Sequence, residues 1–202
     1  MLSFDLRTST PALNYKLLTG LITPRPIALV TSMDAECRVN AAPFSYFNAF
    51  GTNPPIVVLG LGNRPGTSDA KDTPANIAAT HEFVVHLVDE AIAEKMNLCS
   101  KDLPHGVSEL EFAGFTAIPS VVVKPPRIAE AAVHFECVEE QRLQIGGNRL
   151  IVGRVLMAHV RDGILDPSNQ HVIDGTFFPI GRLHGRGWYS RTRDQFEMVR
   201  PE

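Results

Sequence analysis

The chain has 202 residues, of which 44% are apolar and 20% are charged, a balance typical of a globular domain large enough to bury a sizeable core. Its formal net charge of -3 argues against a nucleic-acid-binding protein, because surfaces that bind nucleic acid are usually basic. The length predicts a single domain over residues 1–202. The apolar runs fall short of the roughly 18 residues that a membrane span needs, so we predict no membrane partner.

Strand patterns dominate the first part of the chain. We predict a buried strand over Pro26–Ser32, a turn at 34–37, and one strand over Val39–Asn48 that returns antiparallel to the first. The run Ile56–Leu61 is apolar on both faces, as a central strand would be. The turn residues at 63–68 then predict a loop.

Two short helices and another strand are predicted next. The first helix has Thr73 as its N-cap and Pro74 at its first position, since a hydroxyl can accept from the free N–H groups there and proline has no N–H to leave unpaired. Glu82–Val88 is typical of a strand, and Glu90–Cys99 has the apolar spacing of an amphipathic helix.

The last third of the chain predicts further strands at Ala132–Glu140, Arg149–Val160 and Phe177–Arg182, with a hairpin turn at 146–148. Six or seven strands, few helices and mostly short connections indicate a mainly β protein built as an antiparallel barrel. Gly60-x-Gly62 does not continue into the Gly-x-Gly-x-x-Gly fingerprint, so a bound nucleotide would need a scaffold other than the Rossmann fold.

Two segments together suggest a nucleotide-like cofactor. Asn40–Asn48 mixes small residues, aromatic rings and uncharged polar groups, which suits a strand edge lying against a flat, partly polar heterocycle. Lys71-Asp72-Thr73 places a cation and a hydroxyl at the start of the predicted helix, where free N–H groups and the helix dipole favour phosphate.

In order along the chain, several blocks resemble the flavin reductase-like, FMN-binding split-barrel family. They are Arg25–Ser32, Asn40–Asn48, Lys71-Asp72-Thr73-x-x-Asn76-Ile77, His134–Cys137, Ile151–Val155 and Pro179–Leu183. The resemblance runs from about Tyr15 to Thr192, which is nearly the whole chain. It implies a six-stranded antiparallel split barrel, non-covalently held FMN, a homodimer with cofactor sites near the subunit interface, and transfer of reducing equivalents from NADH or NADPH to flavin.

The resemblance also assigns cofactor-binding residues. Lys71 and Thr73 are the phosphate candidates, with Arg64 as a second cation. Ser45 and Asn48 are the polar contacts of the segment that wraps the ribityl chain and ring edge. Around them the resemblance implies contacts from Thr31, Ser32, Pro43, Phe44, Phe47, Trp188 and Tyr189. Taken alone, Phe44 and Phe47 are more typical of a packed core, and Thr73 is equally typical of an ordinary N-cap.

A C-terminal arm over about 183–202 combines cations, aromatics and glycines. It is interpreted either as an arm that covers the flavin, across a dimer or within one chain, or as a terminal segment packing on its partner. Its His184 stands where many flavin reductases carry a histidine–serine pair, but no serine follows it directly. This departure argues against a nicotinamide-binding role for His184. Because flavin itself supplies the electron chemistry, we predict no catalytic side chain. We interpret the strand histidines His86, His134 and His159 as packed residues rather than metal ligands.

Three functions stay open on the sequence: an NAD(P)H-dependent FMN reductase that feeds a separate monooxygenase, an FMN-binding electron carrier, and a non-redox binding protein. The first is favoured because the whole set of family blocks is present. The three widely spaced cysteines, Cys37, Cys99 and Cys137, fit reduced thiols in the cytoplasm better than disulfides or a zinc site.

Overall fold

A seven-stranded antiparallel sheet forms the centre of the computed structural model, which describes residues 1–63, 67, 69–104 and 107–201. In chain order its elements are α1 (Pro11–Leu21), β1 (Arg25–Pro26), β2 (Ala28–Met33), β3 (Val39–Phe44), β4 (Phe47–Thr52), β5 (Pro55–Leu61), α2 (Asp72–Thr80), β6 (Glu82–Leu87), a 3₁₀ helix (Glu90–Ile92), α3 (Ala93–Leu98), α4 (Glu109–Phe112), β7 (Ala117–Ile118), β8 (Arg127–Ile128), β9 (Val133–Ile145), β10 (Asn148–Val160), β11 (Gly181–Arg182) and β12 (Tyr189–Ser190). The predicted mainly β, antiparallel barrel with few helices is confirmed.

One bent segment closes the barrel. The strand order is β3-β2-β6-β9-β10-β5-β4, so β3 and β4 are the two edges of the sheet, although only Ser45 and Tyr46 separate them in the chain. The N–H of Gly60 donates to the carbonyl of Tyr46 at 2.7 Å, which carries the pairing with β5 into the bend. The prediction of one continuous strand over Val39–Asn48 is therefore wrong, because the segment divides into two strands with different partners. If β3 and β4 are taken as one bent strand, the seven strands of the sheet make a six-stranded barrel.

Arg25 holds this bend against the rest of the fold. Its buried guanidinium donates to the carbonyls of Thr19 and Ile22 at the end of α1, at 2.7 and 2.8 Å. It also donates to Ser45 Oγ at 3.4 Å and to the carbonyl of Leu183 at 3.2 Å. One side chain thus joins the first helix, the bend and the C-terminal region.

Two apolar layers use the two faces of the sheet. Inside the barrel, Val30, Leu59, Phe83 and Ile151 belong to one buried cluster. On the outer face, side chains such as Leu29 pack with α3 and α4 and with the segment that leads into β8. Successive strand residues point to opposite faces, which explains why β2 is buried on both.

Several elements differ from the predictions. Helix α1, capped by the Thr10 hydroxyl, is missing from them. Lys71, and not Thr73, is the N-cap of α2, so Thr73 lies inside the first turn. Within Phe177–Arg182 only the last two residues form a strand. Strand β9 extends five residues past Glu140, because it pairs with β10 along its whole length.

Among the described residues, no helix combines the length and the apolar character that a membrane crossing requires. The three cysteines are free thiols, with Cys99 and Cys137 buried. No group of three or more His, Cys, Asp or Glu side chains in the described part of the chain is arranged to hold a metal ion.

A row of histidines lies under the segment 116–131, which covers the outer face of the sheet. His86, His134 and His159 are cross-strand partners on β6, β9 and β10. His86 Nδ1 lies 2.8 Å from the carbonyl of Leu29, and its Nε2 accepts from the N–H of Ile128 at 3.0 Å. Both nitrogens are therefore used by a neutral ring, with the proton on Nδ1.

Acid is expected to destabilise the fold through His86 and His134. Burial, followed by the neighbouring His134 ring, lowers the pKa of His86 from 6.5 to about 3, and burial also lowers the pKa of His134. The unfolded chain therefore binds more protons than the folded chain below pH 6.5, so stability falls as the pH drops through this range, by up to about 1.4 kcal/mol per pH unit for His86.

The measurement is the urea midpoint as a function of pH for the wild type, for His86→Gln, and for His171→Gln as the exposed control. His86→Gln should be less stable at neutral pH but should show a shallower loss on acidification. An equal slope in wild type and His86→Gln would contradict the assignment.

Gly153 is required where β10 passes over Phe83. A methyl group at this position would lie 2.3 Å from Phe83 Cζ, and Phe83 is fully buried in the barrel. Gly153→Ala is expected to cost about 1–3 kcal/mol of unfolding free energy, as overpacked cores do. Gly62→Ala, where nothing lies within 4 Å, is the matched control, and equal urea midpoints for the two variants would refute the clash.

Candidate functional site

A groove runs along β3 on the outside of the barrel. Its central cavity, of about 270 Å³, lies between β3, the start of α2, and the loop after α3. A second cavity of about 200 Å³ shares Pro43, Phe44 and Ser100 with it, and a third of about 480 Å³ shares Asn40, Asp72 and Glu109. We call these three connected cavities the β3 groove; together they reach the size usual for cofactor sites.

The start of α2 gives the central cavity its positive end. Lys71 and Thr73 both border it, and the first N–H groups of a helix have no partner within the helix. Thr73 is only 1% exposed, and its hydroxyl lies 2.8 Å from the side-chain amide of Asn40. Lys101 also borders the cavity, with its ammonium 4.7 Å from the centre of the Phe112 ring.

Six of the predicted cofactor-binding residues lie along this groove. Pro43, Phe44, Lys71 and Thr73 border the central cavity. Ser45 and Tyr189 border the second cavity, together with Arg182 and Arg186. The structure thus brings the aromatic segment and the basic helix start to one place.

Thr31 and Ser32 are placed differently. Both side chains are fully buried. The Thr31 hydroxyl donates to the carbonyl of Pro126 at 2.6 Å, and the Ser32 hydroxyl accepts from the Asn76 amide at 3.2 Å. Their contact with a cofactor stays a prediction, since both hydroxyls already have protein partners.

Phe47 and Asn48 lie beyond the bend. They border a separate, largely apolar cavity of about 300 Å³ with Tyr46 and Phe50. The Asn48 side-chain oxygen accepts from the N–H of Ala49 at 2.8 Å. The bend therefore separates these two residues from Pro43 and Phe44, and Ser45 borders both this cavity and the second cavity of the groove.

Trp188 and Arg64 complete the predicted set. Trp188 is 65% exposed and borders a further cavity next to α3, which it shares with Tyr189. Its carbonyl accepts from Leu183 N–H at 3.0 Å and from the Arg182 guanidinium at 2.7 Å. Arg64 lies outside the described residues.

Sequence reasoning missed Glu109. It is the first residue of the short helix α4 and borders both the central and the third cavity. Burial, and then the charge of Asp72, raises the pKa of this carboxyl above its ordinary value. No local sequence pattern marks this carboxyl, because its burial depends on strands that are distant in the chain.

The closed antiparallel barrel and its nucleotide-sized outer groove define a class of cofactor-binding β proteins. Residues 20–179 match the model of the flavin reductase like domain. The chain belongs to this family.

Solved structures agree with the assignment. Nitrilotriacetate monooxygenase component B from Bacillus cereus is 37% identical, with a TM-score of 0.92 over 98% of each chain. The 2-nitrobenzoate 2-nitroreductase of Pseudomonas fluorescens is 36% identical, with a TM-score of 0.89 over 99% of this chain and 96% of that one. A protein described as a flavin reductase with a split barrel domain, from Shewanella frigidimarina, is 16% identical with a TM-score of 0.82 over 100% of both chains; this likeness shows the fold alone, a split barrel.

Proposed function

We propose that the protein is an FMN-dependent reductase that transfers hydride from NADH or NADPH to flavin and supplies the reduced flavin to a monooxygenase. The observation that carries the proposal is the central cavity of the β3 groove, where Phe44 and the cationic start of α2 lie together in a chain of the flavin reductase-like family. The likeness to a monooxygenase component at 37% identity supports the last part.

The residues of the groove fit FMN. A phosphate suits the end formed by Lys71 and Thr73, where a cation and a hydroxyl lie at the positive end of a helix dipole. A flat ring suits the wall formed by Pro43 and Phe44. When bound, the flavin supplies the hydride chemistry, and the protein supplies position, charge and access.

The remaining parts of the groove would set charge and access. Arg182 and Arg186 border the second cavity, where positive charge favours an anionic form of the ligand. The groove lies on the outside of the barrel, so a second nucleotide can approach it from solvent. No side chain is required as a general acid or base in this scheme.

Homodimerisation is part of the proposal. Tyr46, Phe50 and Ile22 are exposed apolar residues around the cavity beyond the bend, and exposed Leu18 and Leu21 lie on α1 nearby. Contiguous exposed apolar surface of this kind is typical of an interface. The free thiols support a cytoplasmic location.

Direct reduction of a nitro compound is a second candidate. It is favoured by the 36% identity and the TM-score of 0.89 to a 2-nitrobenzoate 2-nitroreductase. Both candidates begin with electrons placed on a flavin in the same groove, and they differ in the acceptor.

The proposed activity predicts that protein-bound FMN is bleached by NADH or NADPH in the absence of oxygen, faster than free FMN. Visible absorbance after rapid mixing measures the rate with each donor. Persistent flavin colour with both donors would contradict the reductase and favour an electron carrier, and failure to retain flavin would favour a non-redox binding protein. Addition of 2-nitrobenzoate to the reduced protein without oxygen then tests the second candidate: return of the flavin colour supports nitro reduction, and lasting bleaching supports the supply of reduced flavin to another protein.

Lys71→Ala is expected to weaken FMN binding by roughly 1.5–3 kcal/mol, the usual value of a hydrogen bond to a charged group. Fluorescence titration with FMN measures the dissociation constant, and riboflavin, which lacks the phosphate, reports on the rest of the site. Lys16→Ala on the exposed face of α1 is the control. An unchanged FMN dissociation constant would remove Lys71 from the site.

A further inference from the structure

Asn40 links three walls of the β3 groove. Its side-chain amide, 9% exposed, lies on β3 between Thr73 of α2 and Glu109 of α4. One amide atom is 2.8 Å from Thr73 Oγ1 and the other is 3.2 Å from Glu109 Oε2. Thr73 is a phosphate candidate, so what Asn40 does to its hydroxyl bears on the ligand.

The Asn40 amide has two orientations with opposite consequences. In the first, Nδ2 donates to Thr73 Oγ1 at 2.8 Å and Oδ1 faces Glu109 Oε2. That arrangement needs a proton on Glu109, because two bare oxygens 3.2 Å apart repel each other. In the second, Nδ2 donates to an ionised Glu109, and Oδ1 accepts the Thr73 hydroxyl proton at 2.8 Å.

The orientation decides what Thr73 offers to the groove. When Asn40 donates to it, the Thr73 hydroxyl keeps its own proton free to donate to a phosphoryl oxygen. When Asn40 accepts from it, the hydroxyl has only lone pairs left, and these repel a phosphoryl oxygen. The hydrogen-bonding role of Thr73 is thus coupled to a carboxyl that it does not touch.

We propose that Glu109 is a positioning residue that switches Thr73, through the Asn40 amide, between a donor and a non-donor toward a phosphorylated ligand. Protonated Glu109 sets the donor state, and ionised Glu109 sets the non-donor state. The inference rests on the proposed function in one respect, namely that the phosphate of FMN occupies the central cavity.

The charged groups around Glu109 act on the same equilibrium. Glu109 borders the central and the third cavity, and Glu111 lies on the same helix. The other charged residues that border these two cavities are Asp34, Arg38, Lys71, Asp72, Lys101 and Asp102. Arg38 is engaged with Asp34 at 2.6 Å and with Glu36 at 3.0 Å. Burial and the charge of Asp72 raise the pKa of Glu109, which brings the protonated state closer to physiological pH.

The test compares FMN with riboflavin in Glu109→Gln. A neutral glutamine has an NH₂ group that can donate to Asn40 Oδ1, so the donor state is open to this variant at every pH, whereas an ionised Glu109 opposes it. The variant is expected to bind FMN about tenfold more tightly than the wild type at mildly alkaline pH and to bind riboflavin unchanged. Its FMN affinity should also vary less with pH than that of the wild type, once the titration of the FMN phosphate itself is subtracted.

Two controls separate the switch from simple repulsion. Glu111→Gln removes a carboxylate from the third cavity and should change FMN affinity far less. In a Thr73→Val background, Glu109→Gln should lose most of its effect, because no hydroxyl is left to switch. An equal gain in FMN affinity with and without Thr73 would overturn the proposal.

The variant Thr73→Val provides a second test, which does not require Glu109→Gln to fold. On acidification, the preference for FMN over riboflavin should rise more in the wild type than in Thr73→Val, and parallel changes would overturn the proposal. A wild type that binds no FMN would overturn both this inference and the proposed function. FMN binding that is insensitive to Glu109 and Thr73 would overturn the inference alone.

Discussion

The bend at Ser45–Tyr46 is the constraint on which the rest of the structure depends. It lets one segment pair with β2 on one side and with β5 on the other, so the sheet closes and exposes few unpaired edges. The same bend separates the two surfaces of that segment: its first half forms the wall of the β3 groove, and its second half borders the apolar cavity. Arg25 stabilises the turn with four hydrogen bonds to three parts of the chain.

The outer face of the sheet is covered by a segment that is held largely through its own backbone. Glu136, which is fully buried, accepts from the N–H groups of Val121 and Val122 at distances between 2.6 and 3.0 Å. Burial opposes ionisation of this carboxyl, but the N–H groups of Val122 and Val121 lower its pKa on balance. His86 and Thr31 bind the same segment at Ile128 and Pro126. These hydrogen bonds fix the position of the segment 116–131, which has little regular secondary structure of its own.

The sequence predicts the barrel and six of the residues that border the groove, but it predicts neither Glu109 nor the bend. Alternating and continuous apolar runs predicted β2, β5, β6, β9 and β10 because strand periodicity is a local property. The bend was not predictable from Pro43–Asn48, since the two halves have similar compositions and differ in the strands with which they pair. The hydroxyl of Thr73 and the proline that follows it suit an N-cap, but in the structure Lys71 is the N-cap and the Thr73 hydroxyl contacts the Asn40 side chain instead. The link from Glu109 to Asn40 joins residues far apart in the chain and has no signature in either segment.

The order of strands in the sheet also bears on how the chain reaches its native state. Hairpins β2–β3 and β4–β5 join neighbours in sequence, but β5 pairs with β10 and β6 pairs with β9, which are synthesised much later. Contacts between distant segments form slowly, and unpaired strand edges promote aggregation in the meantime. During translation, β5 and β6 therefore each lack one of their partner strands until the long β9–β10 hairpin has been synthesised. The late hairpin is the closing piece of the barrel, so truncations that remove it would leave the groove-forming half of the chain without a stable sheet.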